Sequence, residues 1–153
     1  MFFTILKNKF LYKFTKKYWK SVNYKHAKLH NFTVQNGPMK GLKLNEDQFW
    51  NQGDLGAKIY GFYEQKVQNI IFDISKNFKK TTFINIGAAD GFFSVGSLVS
   101  KKFKRSIAFE MQESGQKSIL KNARLNQVEK SIKIFGEINK KNFESYFSDN
   151  SNL

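Results

Sequence analysis

The chain has 153 residues, which is enough for one ordinary domain and leaves little room for a second. Hydrophobic residues make up 41% of it, including 17 Phe, so a packed core is expected and wholesale disorder is excluded. The absence of Cys excludes disulfides, thiolate nucleophiles and Cys-based zinc sites, and it fits a reducing compartment, for which we predict the cytoplasm.

The net charge of +14 is unevenly distributed along the chain. Residues 1–45 hold ten Lys and no acidic residue, whereas residues 46–153 hold 16 basic and 12 acidic residues. Only Arg105 and Arg124 are Arg, the side chain that readers of phosphates and base edges favour. We therefore predict no specific nucleic-acid partner and treat the first 45 residues as a distinct basic segment.

Residues 1–30 are predicted to form a basic amphipathic helix, because apolar residues recur every three or four positions with Lys between them. The longest apolar run, about six residues, is too short for a membrane span or a signal-peptide core. We expect the apolar stripe to pack on the domain that follows. Contact with an anionic membrane stays open as an alternative. The stripe comprises Phe3, Leu6, Phe10, Phe14 and Tyr18.

Residues 31–80 are predicted to hold a hairpin and a helix that lead into the core. Two alternating runs flank Asn36, Gly37 and the only proline, Pro38, which indicates a β-hairpin or paired extended segments. A helical stripe follows, and we expect it to face a sheet. Its apolar positions are Tyr63, Val67, Ile70, Ile71, Ile74 and Phe78.

From Thr81 onward, short apolar strands alternate with helical segments. The predicted strands are "TTFINI", "RSIAFE" and "SIKIFGE", and the predicted helices are "FFSVGSLVSKK", "ESGQKSILKNARLNQV" and "KKNFESYF". This alternation predicts an α/β fold with a parallel sheet covered by helices on both faces. Ligands of such sheets bind beyond the carboxyl ends of the strands.

The loop "GAADG" lies at such an end, between the first strand and its helix. Gly87 and Gly91 allow backbone conformations that a β-carbon would forbid. The small side chains of Ala88 and Ala89 leave the backbone amides able to face a carboxylate or phosphate. Asp90 adds a negative charge that suits a bound ammonium or sulfonium rather than a pyrophosphate.

Two further carboxylates follow at neighbouring strand ends. Glu110 comes 23 residues after Gly87 and could accept hydrogen bonds from both ribose hydroxyls, which suits NAD and S-adenosylmethionine equally. Glu137 follows the third strand, where it could accept from an adenine amino group. The dinucleotide fingerprint needs glycine at positions occupied here by Ala89 and Phe92, so an NAD-type oxidoreductase remains the second choice.

Three segments together resemble the first half of a Rossmann-like S-adenosylmethionine-dependent methyltransferase of the FkbM type: "FINIGAADGFFSVG", "IAFEMQESGQKSILKNARLN" and "IKIFGE". The upstream "GPMKGLKL" and "YGFYEQKV" resemble the segments that precede the cofactor-binding core in that group. The resemblance covers about residues 35–140 and implies O-methylation of a sugar or another small hydroxyl substrate. On this view residues 81–153 are the first half of the S-adenosylmethionine-binding domain.

The resemblance also implies roles for individual residues. The loop from Gly87 to Gly91 would surround the methionine moiety, and Phe92 would begin the supporting helix. Glu110 would bind the ribose, Met111 would flank the adenine and Glu137 would meet its edge. Glu64 would close over the cofactor from the preceding helix.

Two departures from the family pattern set further expectations. Asn85 stands where many relatives have Asp, so it keeps an acceptor and loses a charge. The chain ends where relatives continue with a fourth strand and their catalytic segments, so we expect a truncated methyltransferase that is inactive alone. Its "TTFINI" strand would then form a sheet edge that promotes self-association. A non-catalytic adaptor that binds membrane or RNA through residues 1–45 is the alternative from another class.

Overall fold

The computed structural model describes residues 9–47, 52–78, 82–140 and 143–144. Within these ranges lie five α-helices, three strands and two short 3-10 turns. The helices are α1 (Lys9–Leu29), α2 (Leu55–Tyr60), α3 (Gln65–Ser75), α4 (Phe92–Val99) and α5 (Glu113–Leu125). The strands are β1 (Thr82–Ile86), β2 (Arg105–Phe109) and β3 (Ile132–Phe135), and the 3-10 turns are Gln52–Asp54 and Glu129–Ser131.

The three strands form one parallel sheet in the order β1-β2-β3. Ile84 pairs with Ile107, and Ala108 pairs with Ile134. Each predicted strand segment contains one of these strands, so the predicted α/β class with a parallel sheet is confirmed. Five of the eight residues of the helix predicted for "KKNFESYF" lie outside the described residues, and the other three, Lys140, Phe143 and Glu144, are helical.

The crossover helices α4 and α5 both lie on one face of the sheet. Asn85 of β1 donates to Ser94 Oγ of α4 at 3.0 Å, and Ala108 of β2 shares a core with Ile119 of α5. Because the strands advance in one direction across the sheet, crossovers of the same hand place both helices on the same side. The sequence predicted helices on both faces, and Phe143, a described residue of the last predicted helix, lies on the other face with its ring centroid 6.4 Å from that of Phe109. The other face carries a smaller apolar cluster of Ile107, Phe109, Phe135 and Ile138.

Two extended arms, the first containing Thr33 and Val34 and the second containing Leu42 and Lys43, precede the core and run antiparallel to each other. The Val34 amide donates to the Leu42 carbonyl at 2.9 Å, and a single antiparallel bridge joins Thr33 and Lys43. Gly37 takes a positive φ of 77° in the turn between the arms, a conformation that glycine adopts without strain. The predicted hairpin is therefore present as paired extended segments and not as strands of the sheet.

Asn122 in α5 and Asn126 at the C-terminal end of this helix attach the second arm to the core. Asn126 accepts from the Lys43 amide at 2.9 Å and donates to the Lys43 carbonyl at 2.7 Å, as a neighbouring strand would. The buried Asn122 accepts from the Asn45 amide at 2.7 Å and donates to the Asp90 carbonyl at 2.8 Å. One helix thus fixes both the N-terminal segment and the loop that follows β1.

Helix α4 is buried on nearly all sides, which explains its almost wholly apolar sequence. Its inner side lies on β1 and β2, and its outer side is covered by the arms. A β-carbon at Gly96 would overlap the sulfur of Met39, which is fully buried. The arms therefore form an outer layer over the helix that begins at the "GAADG" loop.

Helix α3 is correctly located by the sequence, but the predicted stripe does not face the sheet. The side chains that it buries are Gln68, Phe72 and Ser75. Phe72 packs against Phe103 with ring centroids 6.5 Å apart, and Gln68 donates to the Tyr63 carbonyl. Of the stripe, Tyr63 and Ile71 pack against the core. Val67, Ile70, Ile74 and Phe78 are exposed.

Strand β1 lies at one edge of the described sheet, where it pairs with β2 alone. Ile84 and Ile86 of this strand are exposed. A strand edge without charge, proline or a bulge is an open template for pairing. Self-association through this edge stays a prediction.

The two described members of the apolar stripe of α1, Phe14 and Tyr18, do not make the predicted packing contact with the domain. Phe14 and Tyr18 are exposed, whereas Ala27 near the other end of the helix is fully buried. The domain-facing side near Asn23 and Ala27 contacts α2 and the 3-10 turn before it. Phe3 and Leu6 lie outside the described residues, as does the side chain of Phe10. None of the helices in the described ranges is long and apolar enough to cross a membrane.

Candidate functional site

A cavity of about 640 Å³ opens at the carboxyl ends of the three strands. Its walls come from the loops after β1, β2 and β3 and from the start of α3, the place where parallel α/β sheets bind ligands. Every residue that the sequence proposed for the site lines this cavity except Gly91. The residues brought together are Glu64, Asn85, Gly87, Ala88, Ala89, Asp90, Phe92, Glu110, Met111 and Glu137.

Glu110 connects the end of β2 to the neighbouring loop. Its Oε2 accepts from the Ala89 amide at 2.8 Å and its Oε1 accepts from the Gln112 amide at 2.9 Å. The residue is almost fully buried. A carboxylate offers about four acceptor positions, so two remain after these bonds. Glu110 is thus fixed in place and still able to accept from a ligand hydroxyl.

The amides of the "GAADG" loop are mostly used within the protein. Those of Gly87 and Ala88 donate to the Phe109 carbonyl, both at 2.9 Å, and the Gly91 amide donates to the Ala88 carbonyl at 2.8 Å. With the Ala89 amide on Glu110, four loop amides are engaged. The sequence predicted that these amides could face an anion, but in the structure they already donate within the protein.

Asp90 is the residue whose surroundings differ most from the prediction. Its Oδ2 lies 2.5 Å from Lys58 Nζ, and both side chains are only 3% exposed. Its Oδ1 accepts from the Phe92 amide at 3.2 Å. The sequence analysis assigned the negative charge of Asp90 to a bound cation, but in the structure Lys58 balances it.

Lys58 reaches this position from α2 and is enclosed by aromatic rings as well as by Asp90. Its Nζ lies 5.0 Å from the ring centroid of Tyr63 and 5.6 Å from that of Phe92, which are cation–π distances. The sequence contains 24 Lys, and no local pattern distinguishes this one. A buried lysine at the floor of the cavity is a feature that sequence reasoning missed.

Two lining residues adopt the left-handed backbone conformation that non-glycine residues rarely take. Glu64, immediately before α3, has φ 45° and ψ 42°, and Ala89 in the loop has φ 52°. Such residues cost about 1–3 kcal/mol each and persist where the surrounding structure holds them in place. The Glu110 carboxylate holds the amide of Ala89. The exposed Glu64 carboxylate lies at the cavity rim.

The remaining predicted residues have simpler surroundings. Asn85 is partly buried, and its side-chain amide donates to Ser94 Oγ. Met111 and Glu137 line the outer side of the cavity, and Met111 is 72% exposed. Gly91 has a structural role, because its φ of 81° begins α4 and a β-carbon there would press on Ile119 at 3.1 Å.

The titration of Tyr63 tests whether this side chain is buried at the floor of the cavity. Burial, followed by the negative charge of Glu64, raises the pKa of Tyr63 from 10.0 to about 12. Between these values the folded chain keeps a proton that the unfolded chain releases, so stability should fall as pH rises from 10 to 12. The phenolate absorbance difference between the wild type and Tyr63→Phe should therefore have its midpoint near pH 12.

The same titration distinguishes the two causes of the shift. In Glu64→Gln, the Tyr63 midpoint should fall but stay above 10, because burial is the larger cause. An ordinary midpoint near 10 in the wild type would mean that Tyr63 does not lie where the structure places it.

Comparison with known proteins adds little to this geometry. No family model matches the chain, and no curated protein matches it. The solved structure of an O-methyltransferase family protein from Burkholderia thailandensis superposes with a TM-score of 0.40 and 10% sequence identity. The superposition covers 85% of this chain and 39% of that chain. A likeness of this strength identifies neither a family nor an activity.

Proposed function

We propose that the cavity binds S-adenosylmethionine and that the chain is part of an S-adenosylmethionine-dependent methyltransferase of the FkbM type. The observation that carries this proposal is Glu110, a buried carboxylate fixed by two backbone amides with acceptor positions to spare. Two hydroxyls on adjacent carbons, as in a ribose, match two free carboxylate positions. The sequence motifs that resemble this methyltransferase group line the same cavity.

The size and lining of the cavity suit a nucleoside linked to an amino acid. About 640 Å³ lies within the range of sites for drug-sized ligands. The exposed side chain of Met111 offers apolar surface beside Glu110 for a base, and Glu64 offers a carboxylate at the rim for an ammonium group. When bound, S-adenosylmethionine would supply an electrophilic methyl group, and the protein would contribute position and orientation.

The Lys58–Asp90 pair gives the floor of the cavity a fixed shape and no net charge. A neutral floor favours a ligand that carries its charges at the rim over a pyrophosphate, which needs free backbone amides or cations. The four loop amides that a pyrophosphate would use are already bonded. These contacts support S-adenosylmethionine over NAD.

Methyl transfer to a sugar or another small hydroxyl is proposed for the whole protein to which this cavity belongs. A hydroxyl nucleophile often needs a general base within hydrogen-bond distance. Of the two buried carboxylates of the cavity, Asp90 is paired with Lys58, and the remaining acceptor positions of Glu110 are taken by the ribose in this proposal, so neither serves the acceptor hydroxyl. We therefore expect the chain alone to bind the cofactor without transferring its methyl group.

The test is equilibrium dialysis of the chain against radiolabelled S-adenosylmethionine. Unlabelled S-adenosylhomocysteine should displace the label, and NAD⁺ at the same concentration should not. Preferential displacement by NAD⁺ would replace this proposal with the oxidoreductase alternative. Sugar, phenol and carboxylic acid acceptors are then added to the same mixture, and steady turnover by the chain alone would contradict the expectation of binding without transfer.

A further inference from the structure

The helix α1 presents an aromatic face that nothing in the described ranges covers. Phe14 is 65% exposed, Tyr18 60%, Trp19 60% and Leu29 76%. Four large apolar side chains on a single helix are far more than the scattered exposed residues of an ordinary surface. They indicate a surface made for a partner.

Three of these side chains fall on the side of α1 that faces away from the domain. An α-helix turns by about 100° per residue, so Phe14, Tyr18 and Leu29 lie within about 60° of one another. Trp19 lies about 100° from Tyr18 and about 80° from Ala27 on the wheel, so it flanks this face, and its ring contacts that of Tyr18 with centroids 6.2 Å apart. Ala27 is nine residues beyond Tyr18, which is about half a turn away on the wheel, and it is fully buried against the domain. The helix therefore docks by one side and offers the opposite side to solvent.

The charge around this aromatic face is uniformly positive. Lys17 and Lys25 are exposed beside it, and residues 1–45 contain no acidic residue at all. The same face of a second copy would bring equal positive charge against it and be repelled. The complementary partner is an anionic surface that also accepts apolar side chains.

We propose that this face of α1 binds an anionic lipid surface. Trp and Tyr rings are favoured at the boundary between headgroups and acyl chains, and Lys side chains reach from there to lipid phosphates and carboxylates. A helix with an aromatic face and a Lys-rich polar side lies in the plane of the interface. The predominance of Lys over Arg favours lipid over RNA, whose phosphates and bases are bound best by Arg. The proposal does not depend on the function of the cavity.

Sedimentation of the full chain with vesicles tests the charge requirement. The chain should pellet with phosphatidylcholine vesicles that contain phosphatidylserine, and not with pure phosphatidylcholine, and high salt should release it. Lys17→Glu/Lys25→Glu should weaken the partition coefficient by at least about 20-fold, because each lysine near an anionic surface contributes about 1 kcal/mol. The matched control Lys104→Glu/Lys130→Glu changes the net charge equally on an exposed surface of the core and should weaken it far less.

Two further variants test the aromatic requirement. Phe14→Ser/Tyr18→Ser should abolish pelleting, whereas Ile70→Ser/Ile74→Ser, which removes equally exposed apolar groups from α3, should leave it unchanged. Trp19 fluorescence, isolated by Trp50→Phe, should shift to shorter wavelength with anionic vesicles.

Several results would overturn the proposal. These are equal pelleting of both aromatic variants, equal loss in both charge variants, and absence of binding to anionic vesicles. RNA binding that requires the same aromatic residues, or self-association that requires them without pelleting, would assign the face to that partner instead.

Discussion

Replacing Lys58 with Met is expected to lower the free energy of unfolding by about 3–5 kcal/mol. The substitution keeps most of the apolar stem but leaves the carboxylate of Asp90 buried without its cation. An uncompensated charge in a site only 3% exposed has no water to replace the lost partner. Urea denaturation followed by circular dichroism measures the change.

Two further variants separate the effect of the charge from general damage. Lys58→Met/Asp90→Asn removes both charges and keeps an acceptor for the Phe92 amide, so it should recover most of the lost stability. Lys121→Met breaks the exposed pair with Asp47 and should cost less than about 1 kcal/mol. A Lys58→Met variant as stable as Lys121→Met would mean that the pair is not buried.

Removing the carboxylate of Glu110 is expected to weaken the binding of S-adenosylhomocysteine by about 10–150-fold, which corresponds to about 1.5–3 kcal/mol for hydrogen bonds to a charged group. Glu110→Ala removes the proposed acceptor for the ribose and also leaves the Ala89 amide without a partner. Isothermal titration calorimetry measures the affinity, and urea denaturation measures the accompanying loss of stability.

Glu113 provides the matched control for this prediction. It lies three residues further on, its side chain is exposed, and its pair with Lys117 is on the surface. Glu113→Ala should bind the ligand as the wild type does. If Glu110→Ala lost stability but kept full affinity, Glu110 would support the loop without contacting the ligand.

The sequence predicted the sheet and half of the residues that line the cavity, because both depend on local patterns. Short apolar runs after turn residues predict buried parallel strands, and the residues that follow such strands necessarily meet at one edge of the sheet. Glu110 and the "GAADG" loop could therefore be placed together from the sequence alone. Their neighbourhood in space follows from the parallel order β1-β2-β3.

The orientation of helices α1 and α3 could not be predicted in the same way. Periodicity identifies an apolar stripe but does not say which side meets a neighbour. In α3 the buried side includes Gln68, which bonds to a backbone carbonyl, while Ile70 and Ile74 stay exposed. In α1 the small Ala27 makes the contact that the aromatic residues were expected to make.

The partner of Asp90 was equally beyond the sequence. Lys58 lies 32 positions away, and its role depends on how α2 docks against the loop. Without its partner, Asp90 looked like a free carboxylate available to a bound cation. Only the tertiary contact reveals that its charge is balanced inside the protein.

The most direct measurement of the central claim is a crystal structure of the chain with S-adenosylhomocysteine. We expect the nucleoside in the cavity at the carboxyl ends of the strands, with ribose hydroxyls donating to the carboxylate of Glu110. An adenine beside Met111 and an ammonium group near Glu64 would agree with the same account. A nucleoside bound elsewhere, or an empty cavity at a concentration that saturates binding in solution, would contradict it.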